Sequence, residues 1–346
     1  MIIAIIAGGS GTRLWPLSTP EYPKHLLKIN GDDLSLLQNT FERAKLLTST
    51  DKIYVVTEQS HLHHVREQLS ELPEEAFICE PGRRGTANCI MAALAHIASR
   101  HDADEPIASI HADHYIRDVS GFVYSLHLAA NTAHNEKRIV LVGVEPTYPA
   151  TGFGYIEKGD VLNEANFVFN VRSFKEKPDH NTAQEYFRSG NYLWNCGYFV
   201  ASLNTFRHNL QSHAPQLYEN YERLTQANED SYQDTYMSFE SEPIDTALIE
   251  KVPDLLVVPA NFDWMDLGSF GDLHTAVGGN EAGNHTHGHV ELEEVQNSLV
   301  HNHEDKPVAV IGLDNVVVVN TPHGILVARK DQAQKVGDVS KRLKKD

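Results

Sequence analysis

Six apolar residues, Ile2-Ile3-Ala4-Ile5-Ile6-Ala7, run straight into Gly8-Gly9-Ser10-Gly11-Thr12-Arg13-Leu14-Trp15-Pro16-Leu17-Ser18, and Pro23-Lys24 follow. An unbroken apolar run of this length predicts a strand buried on both faces, as inside a parallel sheet. Glycines at 8, 9 and 11 open backbone angles closed to other residues and let a ligand approach the main chain. Successive N–H groups in such a turn form a concavity for phosphate oxygens, to which Arg13 and Lys24 would add charge. The other reading of these residues is a tight strand-to-helix turn. A dinucleotide-binding dehydrogenase fits poorly, because Leu14 stands where Gly-x-Gly-x-x-Gly spacing needs glycine.

Past this loop, strand-like and helix-like patterns alternate. Residues 52–57, 106–111 and 138–144 read as strands; Leu34, Leu37, Phe41, Ala44 and Leu47 recur at helical spacing; helices are predicted over 86–100 and 119–134. Such βαβ alternation predicts an α/β fold with a Rossmann-like, mostly parallel (mixed) sheet flanked by helices, and ligands at the C-terminal strand ends. From about residue 150 the strands, at 155–158, 167–174 and 197–201, look antiparallel or mixed, with helices at 180–189 and 203–225. Residues 278–288 are the best linker candidate. Short β segments at 299–301, 308–311, 316–319 and 325–328 follow, then a basic, weakly helical tail over 336–345. This organisation predicts a first domain over 1–280 and a small C-terminal β domain over 285–346, with no strong internal repeat.

Composition narrows the function. A net charge of −18 argues against nonspecific binding to nucleic acid or an anionic membrane. Any phosphate site must therefore be a local basic patch or recruit a cation. Cys79, Cys89 and Cys196 lack metal-ligand spacing, and their odd number without a basic N-terminal leader predicts a reducing cytoplasm. No run approaches the roughly 20 apolar residues of a membrane span.

Two acidic segments stand out. Ile107-Ala108-Ser109-Ile110-His111-Ala112-Asp113-His114 predicts a buried strand ending in a carboxylate at the ligand edge. Mg2+ takes one or two carboxylates with phosphate oxygens and water, so Asp113 suits it, although capping a loop is the plainer role. Phe262-Asp263-Trp264-Met265-Asp266-Leu267-Gly268-Ser269 lies about 150 residues on, and Asp266 could reach the same cation. Asp263 either supports the site or caps a turn. In Phe174-Lys175-Glu176-Lys177-Pro178, Lys177 could contact phosphate and Glu176 could accept sugar hydroxyls, or the segment is an exposed strand end. The histidine tracts His61, His63, His64 and His285, His287, His289 are read as solvated surface; zinc is geometrically possible but has no Cys or carboxylate partner at structural spacing.

Taken in order, Arg-Leu-Trp-Pro-Leu-Ser, Pro-Lys, Ala-Asp-His, Glu-Lys-Pro, Trp-Asn-x-Gly and Asp-x-Gly-Ser make the whole chain resemble the sugar-nucleotidyltransferase, or nucleotide-sugar pyrophosphorylase, family. Trp15, Glu80-Pro81 with Arg84-Gly85-Thr86-Ala87, and Asp113-His114 resemble its guanylyl branch. The resemblance implies GTP and mannose 1-phosphate as substrates, GDP-mannose and pyrophosphate as products, Mg2+ as cofactor, a left-handed β-helix-like C-terminal domain and a homodimer. It implies that Gly8, Gly9, Gly11, Thr12 and Arg13 hold the triphosphate and Lys24 contacts the reacting phosphates. Glu80, Arg84, Gly85, Thr86 and Ala87 would surround the guanine, Asp113 and Asp266 bind Mg2+, and Gly154, Glu176, Lys177 and Asn195 hold the sugar phosphate. The catalytic set is then Arg13, Lys24, Asp113, Lys177 and Asp266. A linked isomerase cupin domain, found in some relatives, is not expected in a chain of this length. Gly85, Asn88, His111 and Cys196 depart from the family pattern and bear on nucleotide and sugar selectivity. The same chemistry with another nucleotide or sugar phosphate, and a non-catalytic nucleotide-sugar sensor on the same fold, are the alternatives.

Overall fold

The computed structural model describes residues 1–9, 11–29, 33–163 and 167–343. Ser10 of the glycine loop and residues 344–345 of the predicted tail lie outside them. The chain divides into two compact units, Met1–Gly8, Thr40–His111 and Ile116–Trp264 in the first, and Gly9–Asn39, Ala112–Tyr115 and Met265–Asp346 in the second.

Up to residue 264 the elements are, in chain order, β1 (Ile2–Ala7), α1 (Leu36–Lys45), β2 (Ile53–Glu58), α2 (Leu62–Gln68), β3 (Phe77–Glu80), α3 (Gly85–Ala98), β4 (Pro106–His111), α4 (Val119–Glu136), β5 (Val140–Val144), β6 (Tyr155–Asn163), β7 (Val168–Lys175), α5 (His180–Ser189), β8 (Tyr192–Ser202), α6 (Leu203–His213), α7 (Pro215–Gln226), α8 (Glu229–Met237), α9 (Ile244–Ala247) and β9 (Leu256–Pro259). The strands form one mixed sheet in the order β3-β2-β1-β4-β8-β5-β9-β7-β6. β1 lies parallel to both β2 and β4, and every residue of it is buried, as its apolar run requires. Ile2, Ala4 and Ile6 pack with Ile90 and Leu94 of α3, Phe206 of α6 and Leu217 of α7. Phe122 of α4 meets Tyr198 of β8 edge-on, outside that cluster.

Two sequence expectations change here. The single helix over 203–225 is two helices, because Pro215 has no N–H to continue the first and instead opens α7 at its first turn. The strand over 197–201 begins five residues earlier at Tyr192. It carries a bulge against β5 between Val142 and Gly143, where Gly197 takes φ +70°. A Cβ there would fall 2.8 Å from Nε2 of His111, so the bulge glycine is matched to that imidazole.

The second unit adds α10 (Phe270–Val277), β10 (His285–His287), β11 (Val290–Glu293), β12 (Leu299–Asn302), β13 (Val308–Ile311), β14 (Val316–Thr321), β15 (Gly324–Arg329) and α11 (Val336–Leu343). β10, β12 and β14 are parallel neighbours, β11 pairs parallel with β13, and β15 closes the larger sheet antiparallel. Leu299 sits beside Val317 and Val290 beside Val308, each eighteen residues on, and His285 beside Leu299, fourteen on; these stacked parallel coils make the region β-helix-like. Asn302 and Asn320 stack across coils, the Asn320 amide donating at 2.9 Å. Few side chains per coil are constrained, so this structural period barely marks the sequence. The predicted linker is corrected, since its 285–287 portion is β10.

Leu14, Ile29 and Leu36 share the core of this unit with Phe270, Leu273, Leu299, Val317, Val319 and Val336. Gly324 is glycine because a Cβ would fall 2.6 Å from Cζ2 of Trp15. The Thr321 hydroxyl donates to the Pro16 carbonyl at 3.3 Å. The Arg-Leu-Trp-Pro segment therefore rests on β14 and β15, far along the chain. Among the described residues no helix is long and apolar enough to cross a membrane.

Candidate active site

In the second unit the residues after the glycine turn meet both acidic segments. Gly11 adopts φ +56°, and a Cβ on it would fall 2.5 Å from the Lys24 backbone nitrogen. Only glycine lets the loop close on Pro23-Lys24. The Lys24 side chain, 8% exposed, places Nζ 2.8 Å from Asp113 Oδ2 and 3.0 Å from Asp266 Oδ1. It also donates to the Asp266 carbonyl. Burial works against its charge, but the two carboxylates outweigh burial and hold it above the ordinary lysine value. Leu267, buried in the core and held at φ +43°, fixes the turn that presents Asp266 and Gly268. Arg13, 60% exposed, lies 4.0 Å from Asp266 Oδ2. A Cβ at Gly268 would crowd its guanidinium at 3.0 Å. Asp113, His114 and Asp266 each offer a donor atom within 4.8 Å of the others. This donor set, with an ammonium already lodged between its carboxylates, fits a divalent cation that prefers oxygen.

The residues expected around a base lie in the first unit. Gly8 ends β1 beside Glu80, its notional Cβ 3.7 Å from Oε2. Glu80 is buried, accepts from the Tyr236 hydroxyl, and is raised above the usual carboxylate range by that burial. The Arg84 guanidinium is committed to carbonyls, 2.8 Å to Met237 and 2.9 Å to Arg83. Thr86 Oγ1 accepts from the Ile244 N–H at 3.0 Å, and the Ala87 N–H donates to the Glu242 carbonyl at 3.1 Å. Gly85 stands at φ +77°, where a Cβ would lie 2.1 Å from that same carbonyl. Its departure from the family pattern therefore matches this neighbouring segment. Asn88 is buried, donates to the carbonyls of Arg84 and Glu240 at 2.8 and 2.7 Å, and accepts from Asn220 at 2.8 Å. It is a packing knot joining α3, α7 and the 240s segment.

Gly154, Glu176 and Asn195 also come together in the first unit. A Cβ at Gly154 would fall 2.6 Å from Glu176 Oε2 and 3.4 Å from Asn195 Cβ. The Asn195 amide donates to Asp245 Oδ1 at 2.8 Å, and its oxygen accepts from the Gly197 N–H at 3.0 Å. Asp245 escaped the sequence reading: no motif surrounds it, and only its place on α9 brings it to Asn195. Burial, then the like charge of Glu176, push its carboxyl up to about 6. Lys177, at φ +43° and 61% exposed, pairs with Glu176 Oε1 at 2.8 Å. Cys196 is buried in the bulge, and burial alone lifts its thiol well above normal.

Asp263 caps a turn: it accepts from the N–H groups of Arg117 and Asp118 at 2.9 and 2.8 Å and pairs with the Arg117 guanidinium. The histidine tracts are not uniformly solvated. His61 is fully buried, and His285 is half-buried against His301 of β12. Both positions lie where local spacing gives no sign of the neighbour that covers them.

Residues 288–343 match the MannoseP isomerase/GMP-like beta-helix domain. Mannose-1-phosphate guanylyltransferase RfbM of Salmonella typhimurium is 34% identical over 99% of this chain and 72% of its own length. Alginate biosynthesis protein AlgA of Pseudomonas aeruginosa is 36% identical over the same shares. A Thermus thermophilus crystal structure, described as mannose-1-phosphate geranyltransferase, superposes with a TM-score of 0.89 at 28% identity over 99% of both chains. Residues 3–281 match the nucleotidyl transferase family, to which this chain belongs.

Proposed function

We propose that the chain transfers GMP from GTP to α-D-mannose 1-phosphate. An oxygen of the sugar phosphate attacks the α-phosphorus in line. A new P–O bond forms, the bond to the β-phosphate oxygen breaks, and GDP-mannose and pyrophosphate leave. The attacking phosphate is already ionised near neutral pH, so no protein nucleophile or general base is needed. Rate enhancement comes from aligning two anions and offsetting their repulsion.

The observation that carries this reading is the gathering of Asp113 and Asp266 around one cationic centre beside exposed Arg13. Asp113 and Asp266 would hold Mg2+, which when bound neutralises phosphate charge and polarises the α-phosphate. Gly8, Gly9, Gly11 and Thr12 offer backbone N–H groups to the triphosphate, and Arg13 offers charge. A Lys24 ammonium released from either carboxylate has phosphate oxygens as its next acceptors. Glu80 and the backbone of Arg84, Gly85, Thr86 and Ala87 would meet the base. Gly154, Glu176, Lys177 and Asn195 would take the sugar phosphate, with Glu176 accepting from hydroxyls. Relatives named for this reaction, matched over 99% of this chain, support the assignment.

We place the enzyme in the cytoplasm as a homodimer, without nucleic-acid or membrane partners. Ile325 and Val327 on edge strand β15, 67% and 65% exposed, offer apolar surface for pairing of copies. Pyrophosphate release across a panel of nucleoside triphosphates and sugar 1-phosphates, with and without Mg2+, tests the reading. The expected result is strongest turnover for GTP with mannose 1-phosphate and none without a divalent ion. Preference for another pair, or metal-independent turnover, overturns it.

A further inference from the structure

Four histidines share one face of two parallel strands in the second unit. His285 and His287 lie on β10; His301 lies on β12 and His303 just beyond it. The register places His287 beside His301, and residues two apart along a strand face the same way. Ring centres are 4.6 Å apart for His287–His303, 5.2 Å for His285–His301, 5.5 Å for His287–His301 and 6.0 Å for His301–His303. Imidazoles bound through nitrogen to one tetrahedral ion have ring centres about 5 Å apart, given metal–nitrogen bonds of about 2 Å.

A second observation points to a missing ligand. His301 is 5% exposed, and its Nε2 is buried with no hydrogen-bond partner. An imidazole nitrogen left so is costly unless something binds it. Burial, then the neighbouring imidazoles, lower His301 to about 3; burial leads the lowering of His285 and His303 as well. These rings are neutral at physiological pH and carry the lone pair a metal takes. His301 and His303 also line a cavity of about 200 Å³.

We propose that His285, His287, His301 and His303 bind one transition-metal ion of the zinc, nickel or copper class, tying β10 to β12. An all-imidazole set suits these ions and not Mg2+. Among the described residues, only Asp113, His114 and Asp266 form a group of three donors already within 4.8 Å. The imidazoles must therefore turn about their side-chain bonds to close on the ion, while the strands supply the frame.

Calorimetric titration of the full chain with Zn2+, in saturating Mg2+, tests this. One zinc per chain is expected, and Co2+ in its place should show the visible absorption of a tetrahedral site. His287 and His303 are exposed, so His287→Asn and His303→Asn should fold normally, keep wild-type turnover and each weaken zinc binding at least about tenfold. Asp113→Asn should leave zinc binding unchanged. Absence of zinc binding, wild-type affinity in both histidine variants, or loss of binding on changing Asp113 or His61 overturns the proposal.

Discussion

The two units handle buried charge in opposite ways. In the second, Lys24 is compensated twice, by Asp113 and Asp266, and stays charged despite burial. In the first, Asp245 is a buried carboxylate beside the like charge of Glu176, whose cation Lys177 is exposed, and Asp245 is pushed toward its neutral form. A compensated cluster suits highly charged phosphates and a cation. A buried carboxylate pushed toward neutrality suits the ring of a sugar phosphate, whose hydroxyls exchange hydrogen bonds with carboxyl oxygens without adding charge.

The sharpest way to break this comparison is to remove compensation where it matters most. Asp113→Asn should lower turnover on the order of a thousandfold, the scale of losing a principal electrostatic group from a phosphoryl-transfer site. Lys24 retains Asp266 and the Asp266 carbonyl, so circular dichroism and the melting temperature should change little. Near-normal Mg2+-dependent rates would separate this carboxylate from the chemistry.

Next comes a variant that costs stability rather than electrostatics. Asn88→Ala removes two donors from carbonyls and one acceptor from Asn220. Buried partners left unpaired predict a loss of about 2–4 kcal/mol by denaturant titration. The nucleotide preference of the surviving enzyme should stay the same. A changed preference at wild-type stability would mean that Asn88 reads the base.

These two cases show where sequence reasoning reaches and where it stops. β1 and the short C-terminal strands were legible because their patterns are local: an unbroken apolar run and short valine-rich segments. The pairing of Asp113 with Asp266 was legible only as chemistry, two acidic turns suited to one ion. Nothing local shows that Trp15 leans on Gly324, that Asn88 answers Asn220, or that His285 meets His301. Those contacts depend on register between distant segments. Asp245 is the clearest case, a plain aspartate that becomes notable only through Asn195 and Glu176.

Asp245 gives a smaller but more diagnostic effect. Its pKa of about 6 lies above the ordinary 3.8, so between those values the folded chain holds a proton that the unfolded chain has released. Stability therefore falls as pH rises through that window. Asp245→Asn removes the liability and should stabilise the protein at pH 7.5 by up to about 2 kcal/mol. It also strips the charged acceptor from the Asn195 amide. The KM for sugar phosphate should rise about threefold to tenfold with kcat nearly unchanged, since a single charge-assisted hydrogen bond is weakened. Below pH 6 the wild-type KM should approach that of the variant. A flat pH profile would mean that this carboxylate does not position Asn195.

Cys196→Ser should have the least effect on catalysis, although Cys196 departs from the family pattern. The side chain is buried within the β8 bulge. The Asn195 amide is set independently by the Gly197 N–H and Asp245. A serine hydroxyl there exchanges an apolar sulfur for a group that wants a partner, so about 1 kcal/mol of stability should be lost. The sugar-phosphate KM should move less than about twofold, because Asn195 keeps both of its anchors. A large KM change without loss of stability would show that the bulge transmits to Asn195, and the first unit would then hold its sugar through backbone shape rather than through the Asn195–Asp245 contact.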